Sequence, residues 1–133
     1  MLKNLYARTV FFVNDVDRAL RFYTEQLGFS LDWTRVEEDQ IVVCQVGLYG
    51  FELILNEVDE RTSARAGHGR LFIGLDDDQA APFRKYVLEA GIRTGRQHWG
   101  RPTLVIRDSD GNELFFWLPR DDFADFAISD LSS

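Results

Sequence analysis

RTVFFVNDVDRALRFYTEQLGF, residues 8–29, and RLFIGLDDDQAAPFRKYVLEAGI, residues 70–92, are two versions of one unit. Each opens on an apolar run, passes through acidic residues, continues with a helical pattern and stops at a glycine, Gly28 or Gly91. The strand-start arginines Arg8 and Arg70 are 62 positions apart, and so are the acidic residues Asp15 and Asp77. A unit used twice fixes an architecture, and equivalent positions in its copies point to a site.

In the first copy, Asn14 and Asp15 can cap a helix whose apolar stripe is Val16, Leu20, Tyr23 and Leu27. Gly28 suits the left-handed position beyond its end. Alternating apolar runs then predict strands over 29–37, 41–46 and 51–55, with turns at 38–39 and 47–50. The first unit is therefore βαβββ. Residues 56–69 are polar and aperiodic and read as a linker. The second copy repeats the order: a strand over 70–75, an acidic helix start at 76–78, and a helix expected to become regular only near Pro82. Phe83, Tyr86, Val87 and Ala90 form its apolar face. Strands follow over 93–99, 102–107 and 113–118, the last two joined by the turn signal Asp110, Gly111, Asn112. The tail is acidic, with Phe123 and Phe126 as docking points. The fold class is α+β: two βαβββ modules forming a partly closed, cupped mixed sheet. One domain spans 1–133, with module one at about 6–56, a linker at about 57–68, module two at about 69–118 and a tail at 119–133.

The net charge of −7 opposes binding to nucleic acid or to an anionic membrane. It suits solubility, and mildly a cationic partner. The single cysteine, Cys44, cannot form an internal disulfide, and the run IVVCQV around it reads as a buried strand. No secretory h-region and no 18-residue apolar stretch occurs, so a soluble cytoplasmic protein is expected. P-loop, dinucleotide, zincin and nucleophile-elbow motifs are absent, and His68 and His98 are isolated. Eleven Phe, four Tyr and three Trp fill a core and leave several to line a cleft.

The run matched by Asp15, Arg18, Phe22, Tyr23, Leu27, Gly28 and Phe29 resembles the vicinal oxygen chelate superfamily of glyoxalases, bleomycin- and fosfomycin-resistance proteins and extradiol dioxygenases. The resemblance extends over roughly 7–118. Gln97, Trp99, Gly100, Arg101, Arg107, Asp108, Gly111 and Asn112 are similar to the bleomycin-resistance-like branch. That branch implies a ligand held without a catalytic metal, in a groove of a homodimer.

The superfamily's enzymes hold a divalent metal on four side chains, and the resemblance carries those positions to Arg8, Glu52, Arg70 and Phe115. Only Glu52 can ligate: arginine has no lone pair to offer and phenylalanine no donor atom. A catalytic ion normally takes three protein ligands. His68, two residues before Arg70, and Glu113, should the last hairpin be shifted, keep a metal-bearing alternative open. Strand alternation places Val10 and Phe12 on the face of Arg8, Phe72 on that of Arg70, and Trp117 and Glu113 with Phe115. Trp33 and Trp99 flank the same cavity in the family. The expected ligand-binding set is Arg8, Phe12, Trp33, Glu52, Arg70, Phe72, Trp99, Phe115 and Trp117, with no catalytic residue, metal ligand or cofactor. The partner is a small aromatic or cationic molecule, an antibiotic being one candidate, held by a homodimer. The alternatives are a metal-dependent glyoxalase- or dioxygenase-type lyase or oxidoreductase with an atypical site, and a module whose cleft is filled by its own side chains.

Overall fold

The structure is a computed structural model that describes residues 5–99 and 102–117. The expected tail, with Phe123 and Phe126, lies outside the described residues, as do Gly100, Arg101 and Leu118.

Module one runs β1 (Thr9–Val13), α1 (Val16–Arg21), β2 (Ser30–Glu37), β3 (Gln40–Leu48) and β4 (Phe51–Glu57). Module two runs β5 (Arg70–Gly74), α2 (Asp77–Ala90), β6 (Gly95–His98), β7 (Pro102–Arg107) and β8 (Glu113–Trp117). Their sheets have the orders β1-β4-β3-β2 and β5-β8-β7-β6. In each, the first strand lies parallel to the last, and the other pairs are antiparallel. The result is the α+β repeat expected from the sequence, with both sheets mixed and open.

Alternation decides which face is buried. Phe11, Val13, Leu53 and Leu55 of one sheet and Ile73, Leu114 and Phe116 of the other are buried in one continuous core with the helices. The helical stripe joins that core through Val16, Ala19, Tyr23 and Leu27. α1 does not stay regular. Residues Phe22–Gln26 widen into a π-helical turn, with the Leu27 N–H donating to the Phe22 carbonyl at 3.2 Å. Tyr23 and Leu27, four residues apart across this turn, both face inward.

The second helix departs from expectation. It starts at Asp77, five residues before Pro82, so the proline sits inside it. A capping box secures the start: the Asp76 carboxylate accepts from the Gln79 N–H at 3.0 Å, and the Gln79 side chain accepts from the Asp76 N–H at 3.2 Å. Proline removes the bond to the carbonyl four residues back, that of Asp78, an exposed residue where water can replace it. The cap is thus Asp76, not Asp77. The strand-start arginines keep their 62-residue spacing, but Asp15 and Asp76, the two N-caps, are 61 apart. Module two has one residue fewer between its strand-start arginine and its helix cap.

The modules are fastened at the β7–β8 turn. The Asn112 side chain is fully buried. It donates to the Phe12 carbonyl at 3.1 Å and the Asp108 carboxylate at 3.0 Å, and accepts from the Gly69 N–H at 2.7 Å. Asp108 also accepts from the Tyr23 hydroxyl at 2.9 Å and from the backbone N–H groups of Asp110 and Asn112. Burial nevertheless pushes the Asp108 carboxyl above its ordinary range, because four donors only partly replace water. The segment similar to the bleomycin-resistance-like branch thus contributes Asp108 and Asn112 to holding the two repeats together.

Candidate functional site

Each sheet keeps one face away from the core, and the strand registers set its side chains in rows. In module two the first row is Arg70, Glu113 and Arg107, on β5, β8 and β7. The next is Phe72, Phe115 and Val105. Gly74 and Trp117 follow, and the Trp117 indole N–H donates to the Thr103 hydroxyl at 3.0 Å.

The aromatic rows form one wall. Trp99 lies parallel to Phe72, with ring centroids 6.0 Å apart, and 4.4 Å from Phe115. Trp117 meets Phe72 edge-on at 4.9 Å. Phe115 is buried beneath, whereas Phe72 and Trp99 are 41% and 40% exposed. The Arg70 guanidinium lies 4.8 Å from the Phe115 ring and 5.7 Å from that of Trp99, within reach of a cation–π attraction.

The corresponding row of module one is Arg8, Glu52 and Gly47. Arg8 and Glu52 form an ion pair at 2.6 Å, and Gly47 is opposite Glu52 on β3. The carboxylate of Asp32 fills the space beside Gly47: an oxygen lies 3.0 Å from where a side chain there would begin. Asp32 also accepts from the Gln45 amide at 3.0 Å, while the buried Gln45 Oε1 has no hydrogen-bond partner among the described residues. The next row, Val10, Ile54 and Gln45, is non-aromatic on these three strands and ends at Trp33, opposite Gln45 on β2.

Among the expected site residues, Arg70, Phe72, Trp99, Phe115 and Trp117 stand together. Arg8 and Glu52 form a second group. A cleft of about 530 Å³ between the edges of β1 and β5 is lined by one member of each group, Glu52 and Phe72. Phe12 lies apart, half-buried under the Arg65 guanidinium at 5.6 Å. Trp33 is on β2, the far edge of the first sheet. The counterpart of Glu52 in module two is not Phe115. Register places Glu113 opposite Arg70, and Arg70 binds one of its oxygens at 2.8 and 3.0 Å. The other oxygen takes Arg107 at 3.2 Å. Both residues were visible in the sequence. The signal that singles them out is the repeated Arg–Glu pairing, which emerges only once β8 is aligned on β5.

A family model for the Glyoxalase/Bleomycin resistance protein/Dioxygenase superfamily matches residues 6–116. The chain belongs to this superfamily. A comparison with curated protein sequences finds no match. Solved structures of similar fold include the bleomycin-binding protein of Streptomyces verticillus in complex with copper(II)-bleomycin. That protein is 18% identical, with a TM-score of 0.67 over 90% of this chain and 100% of the other. TnmS3, an antibiotic-binding protein from Streptomyces sp. CB03234, is 25% identical, with a TM-score of 0.63 over 87% and 96% of the two chains. TioX from Micromonospora sp. ML1 is 19% identical, with a TM-score of 0.63 over 84% and 94%.

For this member of the glyoxalase/bleomycin resistance/dioxygenase superfamily, a divalent metal does not fit the side chains at the paired positions. Each pair offers one carboxylate, already engaged by guanidinium, and arginine cannot ligate. No cluster of three His, Cys, Asp or Glu side chains suited to a metal occurs among the described residues. His68 is exposed on the segment before β5. No helix among the described residues is long and apolar enough to cross a membrane.

Proposed function

We propose that this chain is a metal-independent binding protein that sequesters a small aromatic molecule, an antibiotic being the natural class, against the wall of module two. The observation that carries this reading is the wall itself: Phe72 and Trp99 stay largely exposed, stacked over Phe115 and flanked by Trp117. A monomer gains by burying such rings, so their grouping on an open face beside a cleft of about 530 Å³ has the make-up of a ligand site. Flat ligands gain both buried area and ring contact there. A bleomycin-binding protein and an antibiotic-binding protein of the same fold support the class.

The binding unit proposed is a homodimer. The open face of module one exposes Val10 and Trp33, with Leu31 also exposed on the same edge strand, and a second copy can cover it. The buried thiol of Cys44, with no disulfide to protect, fits a reducing cytoplasm.

Titration with bleomycin, and with a panel of planar aromatic compounds, is expected to quench tryptophan fluorescence equally with and without a chelator. Trp99→Ala should abolish most of the response. Sedimentation should report a dimer. Turnover that depends on added Ni²⁺, Zn²⁺, Fe²⁺ or Mn²⁺ would sink the proposal.

A further inference from the structure

We infer that the ligand carries an acidic group next to its aromatic ring, and that Arg70 and Arg107 receive it. This rests on the aromatic wall being the binding site and specifies the chemistry that the wall takes.

The row Arg70–Glu113–Arg107 holds two guanidinium groups on one carboxylate. Its charge is therefore positive, in a chain whose net charge is −7. The members are not equally accessible. The Glu113 side chain is 14% exposed, Arg70 51% and Arg107 35%, so the anion is covered and the cations face outward. Each arginine reaches Glu113 through Nε and Nη2. A guanidinium has five N–H donors, so each retains donors pointing away from that pair. Neither arginine has another acidic partner among the described residues. A planar, bidentate donor fork is the natural match for a carboxylate or phenolate.

Position agrees with charge. The cationic row and the Phe72–Phe115 row are two residues apart along their strands, a separation of about 7 Å. A bicyclic aromatic acid spans that distance when its ring lies on the aromatic row and its acid group reaches the arginines. An amine in the same pose would meet two guanidinium groups. The overall acidity of the chain thus gives the wrong sign for this site, because the local row outweighs a dispersed surface charge at contact distance.

Three probes of one shape test the inference: 2-naphthoate, 2-naphthylmethanol and 2-naphthylmethylammonium. The readout is the indole N–H signals in NMR titrations, with Trp99→Phe supplying the assignment. The acid is expected to bind about tenfold more tightly than the alcohol, and the ammonium more weakly than the alcohol. Arg107→Gln should bring the acid-to-alcohol ratio close to unity. Glu113→Gln, which uncovers both arginines, should raise it. Equal binding of acid and alcohol, tightest binding of the ammonium, or an unchanged ratio in Arg107→Gln would overturn the acidic-group inference and leave the aromatic site standing. Failure of all three probes to move any indole signal would overturn the aromatic site and this inference together.

Discussion

Asn112→Ala isolates what holds the two repeats in register. The substitution deletes three hydrogen bonds in a fully buried position. They are not equivalent. The Phe12 carbonyl keeps a second donor, the Gly67 N–H at 3.3 Å, so its loss costs only about 1 kcal/mol. The Gly69 N–H loses its partner at 2.7 Å and becomes an unpaired, largely covered donor, at about 1–2 kcal/mol. Asp108 loses one of four donors to a buried carboxylate, worth about 1.5 kcal/mol. The sum is about 4 kcal/mol, and a water entering the vacated space returns part of it, leaving roughly 3. With a urea dependence of about 2 kcal/mol per molar for a chain of this size, the unfolding midpoint should fall by about 1.5 M. Asn14→Ala is the internal comparison, since it removes only an exposed side-chain bond to Asp110 at 2.9 Å and should cost under about 1 kcal/mol. Urea unfolding followed by circular dichroism and tryptophan fluorescence reads both. If Asn112→Ala shifts the midpoint no further than Asn14→Ala, the fastening role assigned to Asn112 is wrong.

Two further tests concern buried ionisable groups. Burial raises the Asp108 carboxyl, so the folded state binds its proton more tightly than the unfolded chain does. Its contribution is complete below the unfolded value of 3.8 and lost as pH rises through the folded one. The stability of the native protein relative to Asp108→Asn should therefore decline across that rise, and a difference that grows with pH would contradict the burial. Burial, followed by the adjacent Asp108, also raises the Tyr23 hydroxyl well above 10.0, so its contribution is intact up to pH 10 and lost above it. Tyr23→Phe should flatten the alkaline limb of the same stability profile. The Cys44 thiol is pushed up to about 11, first by burial and then by Asp17. At pH 8 its thiolate is about one part in a thousand, so a disulfide reagent should label the chain only when urea unfolds it; rapid labelling of the native protein would refute its place in the core.

The repeat was legible because its signals are local. Apolar alternation marks β1 and β5, and glycines at left-handed angles close both helices, Gly28 at φ 77° and Gly91 at φ 65°. Pro82 misled because a proline rule speaks for one bond, whereas the helix start depends on a capping box that begins six residues earlier, at Asp76. Glu113 was misplaced for a different reason. Carrying the fourth position of the resemblance to Phe115 assumes that both modules enter their last strand through the same loop. The β7–β8 turn is instead set by Asp108, which accepts the Asp110 and Asn112 N–H groups. Register is a tertiary quantity, and a shift of two residues exchanges Phe115 for Glu113 on the same face. The aromatic wall survived this error because Phe72, Phe115 and Trp117 share their face in either register.

Aligned on its strands, the repeat turns out to have diverged in polarity. The row Arg8–Glu52–Gly47 in module one answers the row Arg70–Glu113–Arg107 in module two. The outer members make the difference. Where β7 supplies a second arginine, β3 supplies a glycine, and the Asp32 carboxylate occupies the space that a side chain there would take. One row therefore carries two cations to one anion, and the other one cation to two anions. Exposure follows the same division: Arg8 and Glu52 are about equally accessible at 36% and 33%, whereas Glu113 lies beneath its arginines. The neighbouring rows differ too, with aliphatic Val10 and Ile54 on one side and Phe72 and Phe115 on the other. Two copies of one metal-bearing scaffold would need matching donors at these points. Two copies that carry opposite local charge and unequal apolar character lack that match, which agrees with the misfit of a divalent ion at both pairs.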